Sequence, residues 1–126
     1  MNPVVYDAGV LVAADRGDRR VWAEHRIRLE ADQVPLVPTP VVAQVSRAPT
    51  QVQLRRILRG CEIVPFTEAD AHQAGVLLGR SRTTDVTDGS VAALAILRHA
   101  DVVTGDRSDI VRLLSGAHST IGVIDL

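Results

Sequence analysis

Four aspartates stand at the boundaries of hydrophobic runs. Asp7 closes V-V-Y-D, Asp85 and Asp88 open D-V-T-D-G-S-V-A-A-L-A-I-L, and Asp106 ends V-V-T-G-D. In an α/β fold such boundaries are where ligands meet the carboxyl ends of the strands. Carboxylates drawn together there repel: two unit charges about 4 Å apart cost about 4 kcal/mol at an effective dielectric of about 20. Protonation or a cation relieves the repulsion. An all-oxygen donor set favours a hard divalent ion, Mg2+ or Mn2+. Such an ion stabilises charge on a phosphodiester during displacement, which is the chemistry of a metal-dependent nuclease.

Short apolar runs must position these acids. Val4–Tyr6, residues 35–37, 61–64, 101–104 and 120–124 read as strands. Helical segments are expected at residues 8–14, 18–31, 40–47, 51–58, 67–79, 85–99 and 108–115, with a polar loop at 80–84. Gly60 would close the fourth helix. The helix after Asp85 carries Val91, Ala92, Leu94, Ala95 and Ile96, so it is expected to be buried on more than one side. Strands alternating with helices indicate a parallel sheet covered on both faces. Residues 1–126 read as one such domain, with about five strands.

Each acid also has a purely structural use. Asp85 suits a helix cap, Asp88 and Asp109 suit the first turn of a helix, and Asp106 suits an N-cap. Asp7, a charge ending an apolar strand, has the fewest such uses.

Composition narrows the classes. Hydrophobic residues make up 46% of the chain, yet no run reaches the roughly 18 apolar residues of a membrane helix. The start M-N-P-V-V-Y-D lacks the form of a signal peptide, so a cytoplasmic location is expected. Cys61 is alone, which excludes an internal disulfide, and it is expected as a buried strand thiol. All fourteen basic residues are arginine, but the net charge of −1 gives no global pull on nucleic acid. Arg47, Arg80, Arg82 and Arg107 flank the expected crevice, and Arg47 and Arg107 are the candidate RNA contacts. His25, His72, His99 and His118 show no zinc-like pairing. Tyr6, Trp22 and Phe66 are too few for a base-stacking platform. A receiver domain would need paired acids and a lysine, a dehalogenase-type phosphatase D-x-D, and a P-loop protein G-x-x-x-x-G-K; none is present.

Four segments, V-V-Y-D-A-G-V-L-V-A, P-T-P-V-V-A-Q-V-S-R, T-D-V-T-D-G-S-V-A-A-L-A and D-V-V-T-G-D-R-S-D-I, resemble PIN domains, and more closely the VapC-type ribonuclease toxins. The resemblance implies a three-layer α/β/α fold and Mg2+- or Mn2+-dependent endoribonuclease activity. It implies a homodimer neutralised by a VapB-type antitoxin, which would insert an arginine or lysine into the acidic crevice. Carried over by position, it implies that Asp7, Asp88 and Asp106 bind metal, that Asp85 is an additional acid, and that Thr104 is the hydroxyl residue before the last acid. The departure is Gln44, in V-V-A-Q-V, where the family usually has glutamate. An amide has an acceptor oxygen but no charge, so weaker metal binding is expected. Two readings follow: an active nuclease, or a PIN-fold binding or regulatory module whose nuclease activity is weak or lost.

Overall fold

The computed structural model describes residues 2–117 and 119–126, so His118 lies outside the described residues. Five strands, β1 (Val4–Tyr6), β2 (Leu36–Pro38), β3 (Glu62–Val64), β4 (Asp101–Thr104) and β5 (Val123–Asp125), form one sheet in the order β3-β2-β1-β4-β5. All neighbours are parallel, with Val5 opposite both Leu36 and Val102. Helices cover both faces, giving the expected three-layer α/β/α architecture. They are α1 (Ala8–Asp15), α2 (Arg19–Glu30), α3 (Thr39–Val45), α4 (Val52–Arg59), α5 (Glu68–Ser81), α6 (Val86–Arg98) and α7 (Arg107–Gly116).

The burial pattern explains the strands. β1 and β2 are buried at every position, because side chains on both faces meet helices. The edge strands β3 and β5 stay largely exposed. The core gathers Val5, Tyr6, Leu11, Val37, Ile57, Val102, Ile110 and Leu113, all essentially sealed from solvent. Each large aliphatic side chain there contributes about 1.5–3 kcal/mol by leaving water. Helix α6 buries Gly89, Ser90, Val91, Ala92, Leu94 and Ala95, so it is enclosed on more than one side as its composition required. Gly89 is one reason α5 can approach, since a Cβ there would come within 3.1 Å of Leu78.

Several local expectations are corrected. Residues 80–81 are helical, not loop: the buried Ser81 hydroxyl donates to the Arg112 carbonyl of α7 at 3.3 Å, and Arg82 ends the helix at φ 55°. Cys61 lies before β3 and is only half-buried, its Sγ donating back to the Ile57 carbonyl. Gln51 precedes α4 and braces the preceding loop, accepting from the backbone N–H groups of Arg47 and Ala48. Gly60 does end α4, but at φ −88°, so no left-handed residue is needed there. Close approach is the reason for glycine: a Cβ would sit 2.8 Å from His25 Nε2. The last strand begins at Val123, where the ladder with β4 starts.

Candidate functional site

The sheet order reverses about β1, which lies between β2 and β4. In open parallel sheets the crevice at such a point, beyond the strand ends, is the usual ligand site. Asp7 follows β1 and Asp106 lies just past β4. Asp85 and Asp88 come from the start of α6, which packs against β1, β2 and β4.

Asp7 is the buried member, with 4% of its surface exposed. It occupies the N-cap position of α1, where one carboxylate oxygen accepts from the Val10 N–H at 3.4 Å. The other oxygen accepts a short hydrogen bond from the Thr104 hydroxyl. Thr104 is itself sealed at the end of β4, and its oxygen accepts from the Asp106 N–H at 2.8 Å. One hydroxyl thus ties the ends of β1 and β4 together. Burial raises the Asp7 pKa, and hydrogen bonds from Thr104, Val10, Gly9 and Gly105 partly offset it. Gly9 permits this packing, since a Cβ there would lie 3.3 Å from the Asp7 carboxylate and 3.4 Å from the Gly105 nitrogen.

Asp88 is half-buried in the first turn of α6. Its pKa is pushed up to about 7, first by burial and then by the charges of Asp85, Asp109, Asp7 and Asp106. Asp85 caps the same helix, accepting from the Asp88 N–H at 3.0 Å. Its structural use is therefore real, and its charge still reaches Asp88. Asp106 stands at the N-cap position of α7 but makes no capping bond. Its carboxylate accepts instead from the Ser108 hydroxyl at 3.2 Å.

Asp109 is the acid that sequence reasoning assigned only to helix charge. Hydrogen bonding to Asp106, followed by that residue's charge, raises its pKa. The signal was present: Asp106 and Asp109 repeat the three-residue spacing of Asp85 and Asp88. Five carboxylates therefore share one electrostatic neighbourhood. Among the described residues, no three His, Cys, Asp or Glu side chains close into a ready metal cage. The two observations differ in range: charges act over many ångströms, whereas a coordination shell requires contact at about 2.0–2.6 Å.

The remaining candidates lie on several elements. Gln44 lies exposed on α3, which packs against α6, and its amide makes no hydrogen bond among the described residues. Arg47 is exposed in the loop after α3. Arg107 is already engaged: its guanidinium pairs with Asp125 at 2.8 Å and donates to the Val123 carbonyl at 2.7 Å, fastening β5. Arg80 and Arg82 are exposed. His72 faces Glu68 on the surface, and His99 ends α6. His25 is a buried partner of the Tyr6 hydroxyl.

A parallel sheet between two helical layers, with acids gathered past its strand ends, is the arrangement of the PIN-like α/β domains. The chain belongs to the PIN-domain family, whose model matches residues 4–113. Solved structures agree in fold. A chain of VapBC2 from Rickettsia felis, bound to a DNA fragment from the promoter, is similar with a TM-score of 0.73 and 16% identity, covering 98% of both chains. A toxin–antitoxin complex from Klebsiella pneumoniae matches with a TM-score of 0.70 and 17% identity, covering 96% of this chain and 95% of that one. FitAcB from Neisseria gonorrhoeae matches with a TM-score of 0.66 and 17% identity, covering 96% of each. No curated protein matches the chain. Among the described residues no helix is long and apolar enough to cross a membrane.

Proposed function

We propose that this PIN-domain chain is a metal-dependent endoribonuclease and the toxin of a VapBC-type toxin–antitoxin pair. The observation that carries the reading is Asp88, held near neutrality by burial and by four neighbouring carboxylates. Among the five acids only Asp109 feels a nearby arginine, Arg112, that opposes the rise of its pKa, and oxygen donors suit Mg2+ or Mn2+. Asp7, Asp88 and Asp106 are the residues that would hold the ion, with Asp85 in support. The ion would neutralise the cluster and stabilise negative charge on an RNA phosphodiester.

The chain's own groups have distinct tasks in this reading. Thr104 aims the Asp7 carboxylate and fixes the Asp106 backbone. Asp88 exchanges a proton near neutral pH, so it is poised to respond to the arrival of a cation. Gln44 can orient a polar group but cannot neutralise charge. Arg47 makes no ion pair among the described residues and would meet an RNA phosphate, whereas Arg107 would first have to leave Asp125. The complexes of similar fold motivate a VapB-type antitoxin as partner. Its basic side chain would insert into the acidic crevice. Exposed Val76 on α5 and Leu97 on α6 motivate a homodimer.

Gln44 and the open spacing of the acids favour a second reading, a PIN-fold binding module with weak or lost nuclease activity. Incubating purified protein with mixed cellular RNA separates the two. Cutting with Mn2+ or Mg2+ that vanishes with chelator supports the nuclease. Intact RNA under all three conditions, from folded protein, supports the module.

A further inference from the structure

Beside the acids the fold assembles a second charged feature, of opposite sign. Helix α5 packs against α7. Where they meet, the Ser81 hydroxyl donates to the Arg112 carbonyl at 3.3 Å. A Cβ on Gly116 would stand 2.9 Å from Ser81 Oγ and 3.6 Å from Arg80 Cβ, so the two helices approach closely there. Ser81 lies between Arg80 and Arg82 in the chain, and Arg82 leaves α5 in the left-handed conformation at φ 55°. The contact therefore brings three arginines from two elements to one junction. All three are exposed, and none makes an ion pair among the described residues. The tie itself uses a serine hydroxyl and a backbone carbonyl, which leaves the three guanidinium groups outside it.

This junction adjoins the acids. Arg112 comes one turn after Asp109 on α7, so the two share a helix face. Its charge opposes the rise of the Asp109 pKa. Arg82 stands three residues before Asp85, the cap of α6. Carboxylates alone repel the phosphates on either side of a bond to be cut. Cations next to them supply what the cluster lacks, an attraction for those neighbouring phosphates.

We propose that Arg80, Arg82 and Arg112 form the surface that holds the RNA backbone next to the scissile phosphate; the identity of this anion rests on the ribonuclease reading. Guanidinium matches phosphate in a bidentate way. Contacts of this kind fix register and carry no sequence information. The three are therefore positioning residues, which hold the strand and take no part in breaking the bond. Their exposure suits the task, because binding of a polyanion is driven by the counterions the strand releases and takes solvated cations. A single phosphate gains little from that term, so the occupant is a chain of phosphates. Every nucleotide carries one, and a strand that reaches the acids presents charge to the junction whatever its sequence. A protein would need an acidic run at that one place.

A labelled single-stranded oligoribonucleotide of mixed sequence would be titrated with chelator present, by fluorescence anisotropy at several salt concentrations. Arg80→Gln, Arg82→Gln and Arg112→Gln should each weaken binding by about threefold or more at low salt, for every sequence alike. Each should make the plot of log affinity against log salt shallower by about 0.7, the share of one phosphate contact on a single strand. Arg112→Lys keeps the charge and should keep the slope. Arg98→Gln is the reference: Arg98 pairs with Glu62 at 3.1 Å and ends α6 about 15 Å from Asp88, so its loss should leave binding unchanged. With Mn2+ the three glutamine variants should raise KM for cleavage and leave kcat within about twofold. RNA held through these arginines but never cut would keep the surface and remove the nuclease reading. Four results would overturn the proposal. These are unchanged affinity and slope in all three glutamine variants, an equal loss in Arg98→Gln, a fall in kcat at constant KM, or tighter binding of polyglutamate than of RNA of equal charge.

Discussion

Helix α1 has an aspartate at each end, and the two carboxylates live in different company. At its last residue, Asp15 accepts from the Leu54 N–H at 3.2 Å and from the Gln51 side chain at 2.9 Å. Those donors belong to the start of α4, so Asp15 joins two helices and leaves little of its charge unmet. At the other end, Asp7 also accepts hydrogen bonds, from Thr104 and Val10. Yet its neighbourhood holds further acids, and its charge helps to raise the pKa of Asp88. A carboxylate surrounded by donors is a structural part. A carboxylate surrounded by carboxylates must take up a proton or meet a cation.

The largest test of this contrast is Asp7→Asn. RNA cleavage should fall by about 100-fold or more, the scale of losing one charge-stabilising group at a reaction centre. Initial rates on RNA with Mn2+ measure it, and undiminished cleavage would remove Asp7 from the site. The apo protein should melt no lower than the parent, because a buried carboxylate with a raised pKa is being neutralised.

Asp15→Ala should do the reverse. It removes two hydrogen bonds at the start of α4 and should cost about 1–3 kcal/mol in urea unfolding. Cleavage per folded molecule should be unchanged, and a loss of rate at full folding would erase the distinction between the two ends.

Gln44→Glu restores a negative charge on α3, the helix that packs against α6. It should tighten Mn2+ or Mg2+ binding by about tenfold, read by calorimetric titration. Unchanged affinity would mean that Gln44 lies outside the ion's reach.

The smallest effect is on stability against pH. The Asp88 pKa stands at about 7 in the fold against an ordinary 3.8. Between those values the folded protein holds the Asp88 proton more tightly than the unfolded chain does. That contribution is therefore full below about pH 4 and is lost as the pH rises towards about 7. The metal-free melting temperature should decline across this window, Asp88→Asn should flatten the decline, and added Mg2+ should oppose it. An Asp88→Asn protein with the parent's pH profile would contradict the assignment of the charge strain to Asp88.

Much of the fold was legible in the chain. Val4–Tyr6 and Asp101–Thr104 were read with the bounds they have, because a buried parallel strand must be apolar on both faces and so stands out as a short run. Edge strands need no such run, and the start of β5 was misplaced by three residues for that reason. The acids at the helix starts stood out by type and spacing, yet Asp109 was read only as helix charge because its nearness to Asp106 is a matter of tertiary structure.

The sequence by itself determined the alternation of elements and the family, because periodicity and residue type are local properties. Only the tertiary structure decided which acids share a field, and that Asp109 joins them while Asp15 does not. It alone fixed Arg107 onto β5 and made Gly60 necessary through the approach of His25. These depend on distances between residues far apart in the chain, and electrostatic and packing energies follow distance in space, not in sequence.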